Sequence, residues 1–94
     1  MLDVFTNPDG KVAIVGRLDA ASAPQAAEFF KLLTGDVTLD LSGLEYISST
    51  GLGEILTLSL RMRETGHRLS LVGLSPQVRY IFQLARLDML LDIK

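Results

Sequence analysis

The sequence predicts a single α/β domain over residues 1–94, with a mixed β-sheet of four to five strands and helices packed mainly on one face. Short apolar and β-branched runs, typical of strands, alternate with segments whose apolar residues recur at helical spacing. The first two strand-like runs follow each other directly, which indicates an antiparallel hairpin, whereas helices separate the later strands and favour parallel pairing. No internal repeat or low-complexity linker divides the chain, so one domain is expected.

The strands are predicted from alternation and from the turn signals that bound them. Residues 2–6 and 11–18 form the opening hairpin, because the segment 7–10, Asn-Pro-Asp-Gly, favours a turn and interrupts strands. In residues 37–41 apolar side chains alternate with polar ones, the period of two expected of a strand with one face on a core. Residues 69–72 are predicted as a further strand.

Three helices are predicted from apolar residues at intervals of three and four. In the first, Ser22 is the expected N-cap, Gln25 reaches back to the cap, and Gly35 ends the helix. The second spans residues 49–65, and the third begins after Ser75, which precedes a proline. The core-facing side of the second helix is expected to consist of Leu52, Ile55, Leu56, Ser59 and Leu60.

Two short segments have less distinct patterns. Residues 44–47 are interpreted as a link between the third strand and the second helix, and residues 89–93 as either a short strand or a last helical turn. The predicted order of elements is therefore β-β-α-β-α-β-α.

Composition excludes several classes of function. The chain has no cysteine, which excludes disulfides, thiol catalysis and thiolate metal sites. Its net charge of −2 argues against a nucleic-acid partner, since such proteins carry clustered Lys and Arg. No apolar run approaches the roughly 18–20 residues needed to span a bilayer, and the first residues do not resemble a secretory leader, so we expect a cytoplasmic protein without direct membrane insertion.

The segment from Asp40 to Gly53 carries the main functional signal. It places Ser48, Ser49 and Thr50 in a row where a loop becomes a helix. A helix start presents unpaired backbone N–H groups and the positive end of the helix dipole, so a phosphate attached there gains about 0.3–1 kcal/mol of local stabilisation. A phosphorylated form of this segment is therefore compatible with folding.

Gly51 and Gly53 add a second signal at the start of the same helix. Each costs on the order of 1 kcal/mol relative to alanine, which indicates a reason beyond helix formation, such as room for a kinase or a partner. A structural interpretation stands beside this one, because Ser and Thr are favoured N-caps and a hydroxyl cluster before a helix is more often a cap than a reactive site. Spacing alone leaves both interpretations open.

The segment Asp40-Leu-Ser-Gly-Leu-Glu-Tyr-Ile-Ser-Ser-Thr-Gly-Leu-Gly resembles the signature of the STAS family, in which Asp-Leu-Ser at a strand end is followed by Asp-Ser-Ser-Gly-Leu-Gly. The segment 16–19, Gly-Arg-Leu-Asp, is similar to the family's Gly-x-Leu-Asp. The resemblance implies that Ser49 is the phosphorylated residue, with Thr50 in the third position of the motif. Ser48 stands where the family has an acid, a departure that concerns phosphorylation rather than the fold.

The resemblance also implies which residues surround the acceptor. Asp19 is expected near Ser49 at the same end of the sheet, and it can equally be a turn residue that leads into a helix. Gly51, Leu52 and Gly53 are expected to lie around the acceptor and to contact a partner.

Leu58 and Met62 form a second apolar feature of the predicted helix. At about 100° per residue they lie one turn apart on a flank of the core-facing stripe. They either pack on a neighbouring helix or belong to a partner surface in which methionine adapts its shape.

The resemblance implies a regulatory protein. The expected function is that of an anti-sigma-factor antagonist in a partner-switching pathway that regulates transcription. The unphosphorylated protein would bind an anti-sigma-factor serine kinase, and a PP2C-type phosphatase would reset the cycle. The alternative is a STAS adaptor subunit of a membrane transporter, such as a lipid-transport ABC system.

The sequence offers little for an enzyme. It has no Gly-x-Ser-x-Gly elbow that would make Ser49 a hydrolase nucleophile, and it lacks a dinucleotide fingerprint and a Gly-Lys-Ser/Thr phosphate loop. His67, the single histidine, follows a glycine and is expected in a solvated loop. We therefore expect no catalytic residues, no cofactor and no metal site.

Overall fold

The computed structural model describes residues 1–94 and has three α-helices and six strands. The elements in chain order are β1 (Leu2–Thr6), β2 (Val12–Leu18), α1 (Ala23–Phe30), β3 (Val37–Asp40), β4 (Leu44–Ile47), α2 (Ser49–Glu64), β5 (Leu69–Val72), α3 (Pro76–Leu84), a 3₁₀ turn (Leu87–Met89) and β6 (Asp92–Ile93).

All six strands join one mixed sheet. Its strand order is β1-β2-β3-β5-β6, and the remaining strand, β4, pairs only with β2. The β1–β2 hairpin is antiparallel and every other pair is parallel. The mixed α/β fold is thus confirmed, with one strand more than the expected maximum of five.

The link predicted at residues 44–47 is wrong, because this segment is the strand β4. Leu44 and Ile47 are buried while the two residues between them are exposed, so the burial does not follow the alternation by which strands are recognised. The pairing of β4 with β2 is irregular, because Gly16 pairs with Leu44 but Arg17 pairs with Tyr46, so Glu45 is an extra residue that interrupts the alternation. The first half of β2 pairs with β3, and the second half pairs with β4.

The helices pack on one face of this sheet. A single cluster of 21 buried residues contains apolar side chains of α1, α2 and α3 together with strand residues such as Ile14, Leu39 and Leu71. Polar positions of β3, such as Thr38 and Asp40, alternate with the buried ones and belong to the opposite face. The expectation that the helices lie mainly on one face is confirmed.

The first helix differs from its prediction at both ends. Ser22 lies at the N-cap, but its side chain does not cap the helix, and Gln25 instead donates from Nε2 to the carbonyl of Leu2 at 2.9 Å. The helix ends at Phe30, well before Gly35. The capping box is therefore wrong, because Gln25 finds a partner on the neighbouring strand.

The second helix is rotated relative to the face that periodicity suggested. Leu58 and Met62 are only 2% and 1% exposed, whereas Leu60, expected in the core, is 49% exposed. Leu58 lies with Ala27 and Phe30 of α1, so α1 covers one flank of α2. Leu58 and Met62 are core residues, and their assignment to a partner surface is wrong.

No helix of the structure is both long enough and apolar enough to cross a lipid bilayer.

Candidate functional site

The hydroxyl-rich segment lies at the edge of the sheet where β2 and β4 end side by side. Leu18 and Ile47 are paired in parallel register, and the backbone N–H of Ser48 donates to the Leu18 carbonyl at 2.9 Å. This bond fixes the point at which the chain leaves β4 and begins α2. Residues after the ends of neighbouring parallel strands share one edge, so Asp19 and Ser49 lie at the same end of the sheet, as expected.

Ser48 is the N-cap of α2. Its backbone is extended, and its Oγ accepts a hydrogen bond from the N–H of Gly51 at 3.1 Å. Its carbonyl accepts from the N–H of Leu52 at 2.9 Å. The capping interpretation is therefore confirmed for Ser48, which occupies the position where the family motif has an acid.

Ser49 and Thr50 are the first two residues of α2, and both are exposed. Their backbone N–H groups have no helical carbonyl to bond, since the first turn of any helix lacks preceding acceptors. Because the Ser48 hydroxyl already caps the helix, the Ser49 hydroxyl is not needed as a cap and is exposed to solvent. The structure thus assigns capping and exposure to two different hydroxyls of the cluster.

Gly51 and Gly53 have opposite surroundings. A Cβ on Gly51 would lie 2.6 Å from the Leu18 carbonyl oxygen and 3.0 Å from Cγ1 of Ile47, so this glycine allows α2 to pack on the strand ends. A Cβ on Gly53 would meet nothing within 4 Å. Gly51 is buried and cannot contact a partner, which corrects that expectation, whereas Gly53 is exposed.

Leu52 is also a core residue, with 7% of its surface exposed, so its expected place on a partner surface is wrong. The apolar residues of α2 that reach the surface are instead Leu60, which is exposed, and Leu56, which is half-buried. With Ser49 and Gly53 they fall within about 60° around the helix axis, at 100° per residue. We call these four residues, Ser49, Gly53, Leu56 and Leu60, the outer face of α2.

Asp19 leads into α1 and does not serve Ser49. Its Oδ1 accepts from the N–H groups of Ala21 and Ser22, each at 3.1 Å. These backbone bonds, chiefly the one from Ser22, hold the pKa of Asp19 below its ordinary value. The turn interpretation of Asp19 is confirmed by these bonds.

A cation that sequence reasoning missed lies at the same sheet edge. The Arg17 guanidinium carbon lies 4.5 Å from the ring centroid of Tyr46, its neighbour across β2 and β4, and its Nε lies 3.9 Å from Oδ2 of Asp19. The side chain of Arg17 is 53% exposed, so its charge is available at the surface. Its place in the Gly-Arg-Leu-Asp segment was visible, but the stacking on Tyr46 depends on β4, which the sequence did not reveal.

The structure contains no group of three or more His, Cys, Asp or Glu side chains that could hold a metal ion. His67 is exposed in the loop between α2 and β5, as expected, and its Nδ1 lies 3.3 Å from Oδ1 of Asp36.

Comparisons with known proteins give the family to which this sequence and fold are similar. A family model described as "Mlab, STAS domain" matches residues 3–92. The anti-sigma-B factor antagonist of Listeria monocytogenes serovar 1/2a is 31% identical over 87 residues, which cover 88% of this chain and 76% of the relative.

Solved structures share the fold. An anti-sigma factor antagonist from Mycobacterium paratuberculosis superposes with a TM-score of 0.82 at 19% identity, over 99% of this chain and 83% of that one. The anti-sigma factor antagonist SpoIIAA in its unphosphorylated form gives a TM-score of 0.69 at 19% identity, over 100% of this chain and 87% of that one.

Proposed function

Because the chain belongs to the STAS domain family, we propose that it is an anti-sigma-factor antagonist whose partner binding is switched by phosphorylation of Ser49. Two relatives that each match 88% of the chain are anti-sigma-B factor antagonists. The proposal includes an anti-sigma-factor serine kinase as the partner and a PP2C-type phosphatase that reverses the modification. In this role the protein is a substrate and a binder, and it carries no catalytic residue of its own.

The exposure of Ser49 at the start of α2 is the observation that carries the proposal. A kinase must reach the acceptor hydroxyl, and Ser49 is exposed while Ser48 is occupied by its bond to the Gly51 amide. The open space at Gly53 and the apolar side chain of Leu60 continue this accessible surface along the outer face of α2. A partner that covers this face would enclose the Ser49 hydroxyl.

The energetics of a phosphate at Ser49 differ between the free protein and a complex. In the free protein the helix start stabilises the added anion by about 0.3–1 kcal/mol, so the fold tolerates it. At an interface that covers Ser49, a group with about −1.5 to −2 charges must lose its water, and an unpaired buried charge costs several kcal/mol. A penalty of roughly 3 kcal/mol lowers affinity about a hundredfold, which is enough to release a partner.

Phosphate mapping and binding measurements test the proposal together. After incubation with ATP and the serine kinase encoded nearest to this protein, mass spectrometry should locate phosphate on Ser49. In calorimetric titrations Ser49→Ala should bind the kinase as the unmodified protein does, whereas Ser49→Asp, with one charge, should bind about tenfold more weakly. Thr50→Ala is the matched control, and it should be phosphorylated and bind normally.

Two outcomes contradict the switch. Phosphate found on Ser48 or Thr50 alone would show that the acceptor is wrong. Equal affinities of Ser49→Asp and the unmodified protein, both folded by circular dichroism, would remove Ser49 from the switch. That second result would favour the adaptor subunit of a membrane transporter, in which the outer face of α2 binds its partner without modification.

A further inference from the structure

The largest cavity of the protein lies far from the Ser49 edge. It has a volume of about 410 Å³ and lies between the second half of α2, the start of β5 and the C-terminal segment. Ser59, which lines it, follows Ser49 by ten residues on α2, a distance of about 15 Å along the helix. The partner-binding function proposed above makes no use of this cavity.

A buried hydroxyl opens into the cavity. Ser59 is 5% exposed, and its hydroxyl takes part in no hydrogen bond within the protein. The other buried serine, Ser70, donates to Oδ2 of Asp92 at 2.9 Å. Since no fully enclosed side-chain N or O lacks a partner, the Ser59 hydroxyl keeps some exposure, and Ser59 is one of the residues that line the cavity. It is a polar group without a protein hydrogen-bond partner on a residue that lines the cavity.

Two guanidinium groups line the same cavity. Arg63 donates from Nη2 to the Leu90 carbonyl, which leaves its other N–H groups free, since a guanidinium carries five. Arg68 has a 73% exposed side chain and only a long contact of 3.8 Å to Oδ2 of Asp92. Both groups can therefore donate to a ligand within the cavity.

The nearby carboxylates are already engaged. Asp92 accepts from Ser70 and lies 3.8 Å from Nζ of Lys94 as well as from Arg68. Asp36 accepts from the N–H of Arg68 at 2.9 Å and faces His67, another lining residue. The side chains that line the cavity include two guanidinium groups, those of Arg63 and Arg68, and one carboxylate, that of Asp92, in a protein whose net charge is −2.

We propose that this cavity binds the phosphate group of a small phosphorylated molecule, with Ser59, Arg63 and Arg68 as the donors. A tetrahedral oxyanion offers acceptor oxygens in several directions, so it can accept hydrogen bonds from two guanidinium groups and a hydroxyl at once. The volume falls within the range of about 300–1,000 Å³ that is usual for small-molecule sites, so it accommodates more than a bare phosphate. The proposal holds whether or not Ser49 is the acceptor, because the two sites share no residue.

An NMR titration with inorganic phosphate tests the site directly. Backbone amide shifts should saturate with phosphate and should be confined to residues 59–69 and 90–94, while sodium chloride at matched ionic strength should not reproduce them. Arg63→Gln and Arg68→Gln should each weaken binding at least about tenfold, since each removes a charge-assisted donor. Arg86→Gln, which removes the same charge outside the cavity, should bind as the unmodified protein does.

Ser59→Ala tests the buried hydroxyl without a risk to folding, because alanine favours the helix and leaves no unpaired group. Binding of phosphate should weaken several-fold in this variant, and glycerol 3-phosphate should respond in parallel with inorganic phosphate. Shifts that increase linearly with phosphate, or that persist unchanged in Arg63→Gln and Arg68→Gln, would overturn the proposal. Unchanged affinity in Ser59→Ala would overturn the assignment of the ligand to this cavity.

Discussion

Gly51 and Gly53 show how two identical residues in one helical turn perform different tasks. Gly51 lets the backbone of α2 approach the end of β2, where a Cβ would lie 2.6 Å from the Leu18 carbonyl oxygen. Gly53 faces open space and contributes no packing. The fold requires a glycine at position 51, whereas Gly53 leaves open space on the outer face of α2 beside Ser49.

Alanine at the two glycines should therefore change stability in opposite directions. Gly51→Ala should lower the free energy of unfolding by about 1–3 kcal/mol, because the methyl group forces α2 away from a backbone atom that cannot rotate aside. Gly53→Ala should raise it by up to about 1 kcal/mol through helix propensity. Urea denaturation checks both variants, and a stabilised Gly51→Ala would show that the strand ends yield easily.

Ser48→Asp should restore the family acid without loss of stability. Aspartate is as good an N-cap as serine, and its charge at the helix start contributes about 0.3–1 kcal/mol. If an acid beside the acceptor assists the kinase, the rate of Ser49 phosphorylation should rise. Ser48→Ala is the control: it should lose about 0.5–2 kcal/mol of stability through the missing cap. An unchanged rate in Ser48→Asp would show that the missing acid is unimportant here.

The helix α2 has two apolar sides, one of which is buried in the core and the other exposed at the surface. Ile55, Leu58 and Met62 are enclosed by the sheet and by α1, while Leu60 is 49% exposed on the face that also carries Ser49. A leucine exposed to this extent contributes little to the free energy of unfolding of the isolated domain. Leu60 lies on the same side of the helix as Ser49, so a partner that covered the outer face of α2 would contact it.

Leu58→Ala and Leu60→Ala should separate folding from binding. Leu58→Ala should cost about 2–5 kcal/mol of stability, because it leaves a cavity in the core. Leu60→Ala should change stability by less than about 0.5 kcal/mol and should still weaken kinase binding. Thermal unfolding and calorimetric titration measure the two effects, and full affinity in Leu60→Ala would place the interface elsewhere.

Over the whole molecule, three carboxylates tie loops to the sheet by accepting backbone hydrogen bonds. Asp19 accepts chiefly from Ser22, Asp36 from Arg68 and Asp40 from Ser42. These donors favour the ionised carboxylate, so the pKa of each group is held below its ordinary value in the folded protein. The loops they fasten lie at both ends of the parallel strands.

Acid should therefore weaken the fold. A carboxylate whose folded pKa is lowered contributes its full stability above the unfolded pKa of about 3.9, and this contribution is lost as the pH falls through the folded value. Urea midpoints should change little between pH 7 and pH 5 and should fall below about pH 4. Asp40→Asn, which keeps an acceptor for the Ser42 amide, should flatten this acid dependence, and an equally steep fall in that variant would exclude Asp40 as a contributor.

The sequence by itself determined most of the element order and the place of the hydroxyl-rich segment at the start of α2. Apolar periods of two and of about 3.6 residues revealed the hairpin, β3, β5 and the three helices, because each such element buries one side of a regular backbone. The motif placed Ser49 at the first residue of α2, and the structure has α2 begin there. These features depend on residues close together in the chain.

Only the tertiary structure decided which groups near Ser49 are accessible. Periodicity finds the apolar arc of α2 but not the neighbour on its flank, and packing by α1 buried Leu58 and left Leu60 exposed. The burial of Gly51 depends on the Leu18 carbonyl, and β4 depends on its parallel pairing with the second half of β2. Each of these outcomes is set by contacts between segments distant in sequence, which local patterns do not encode.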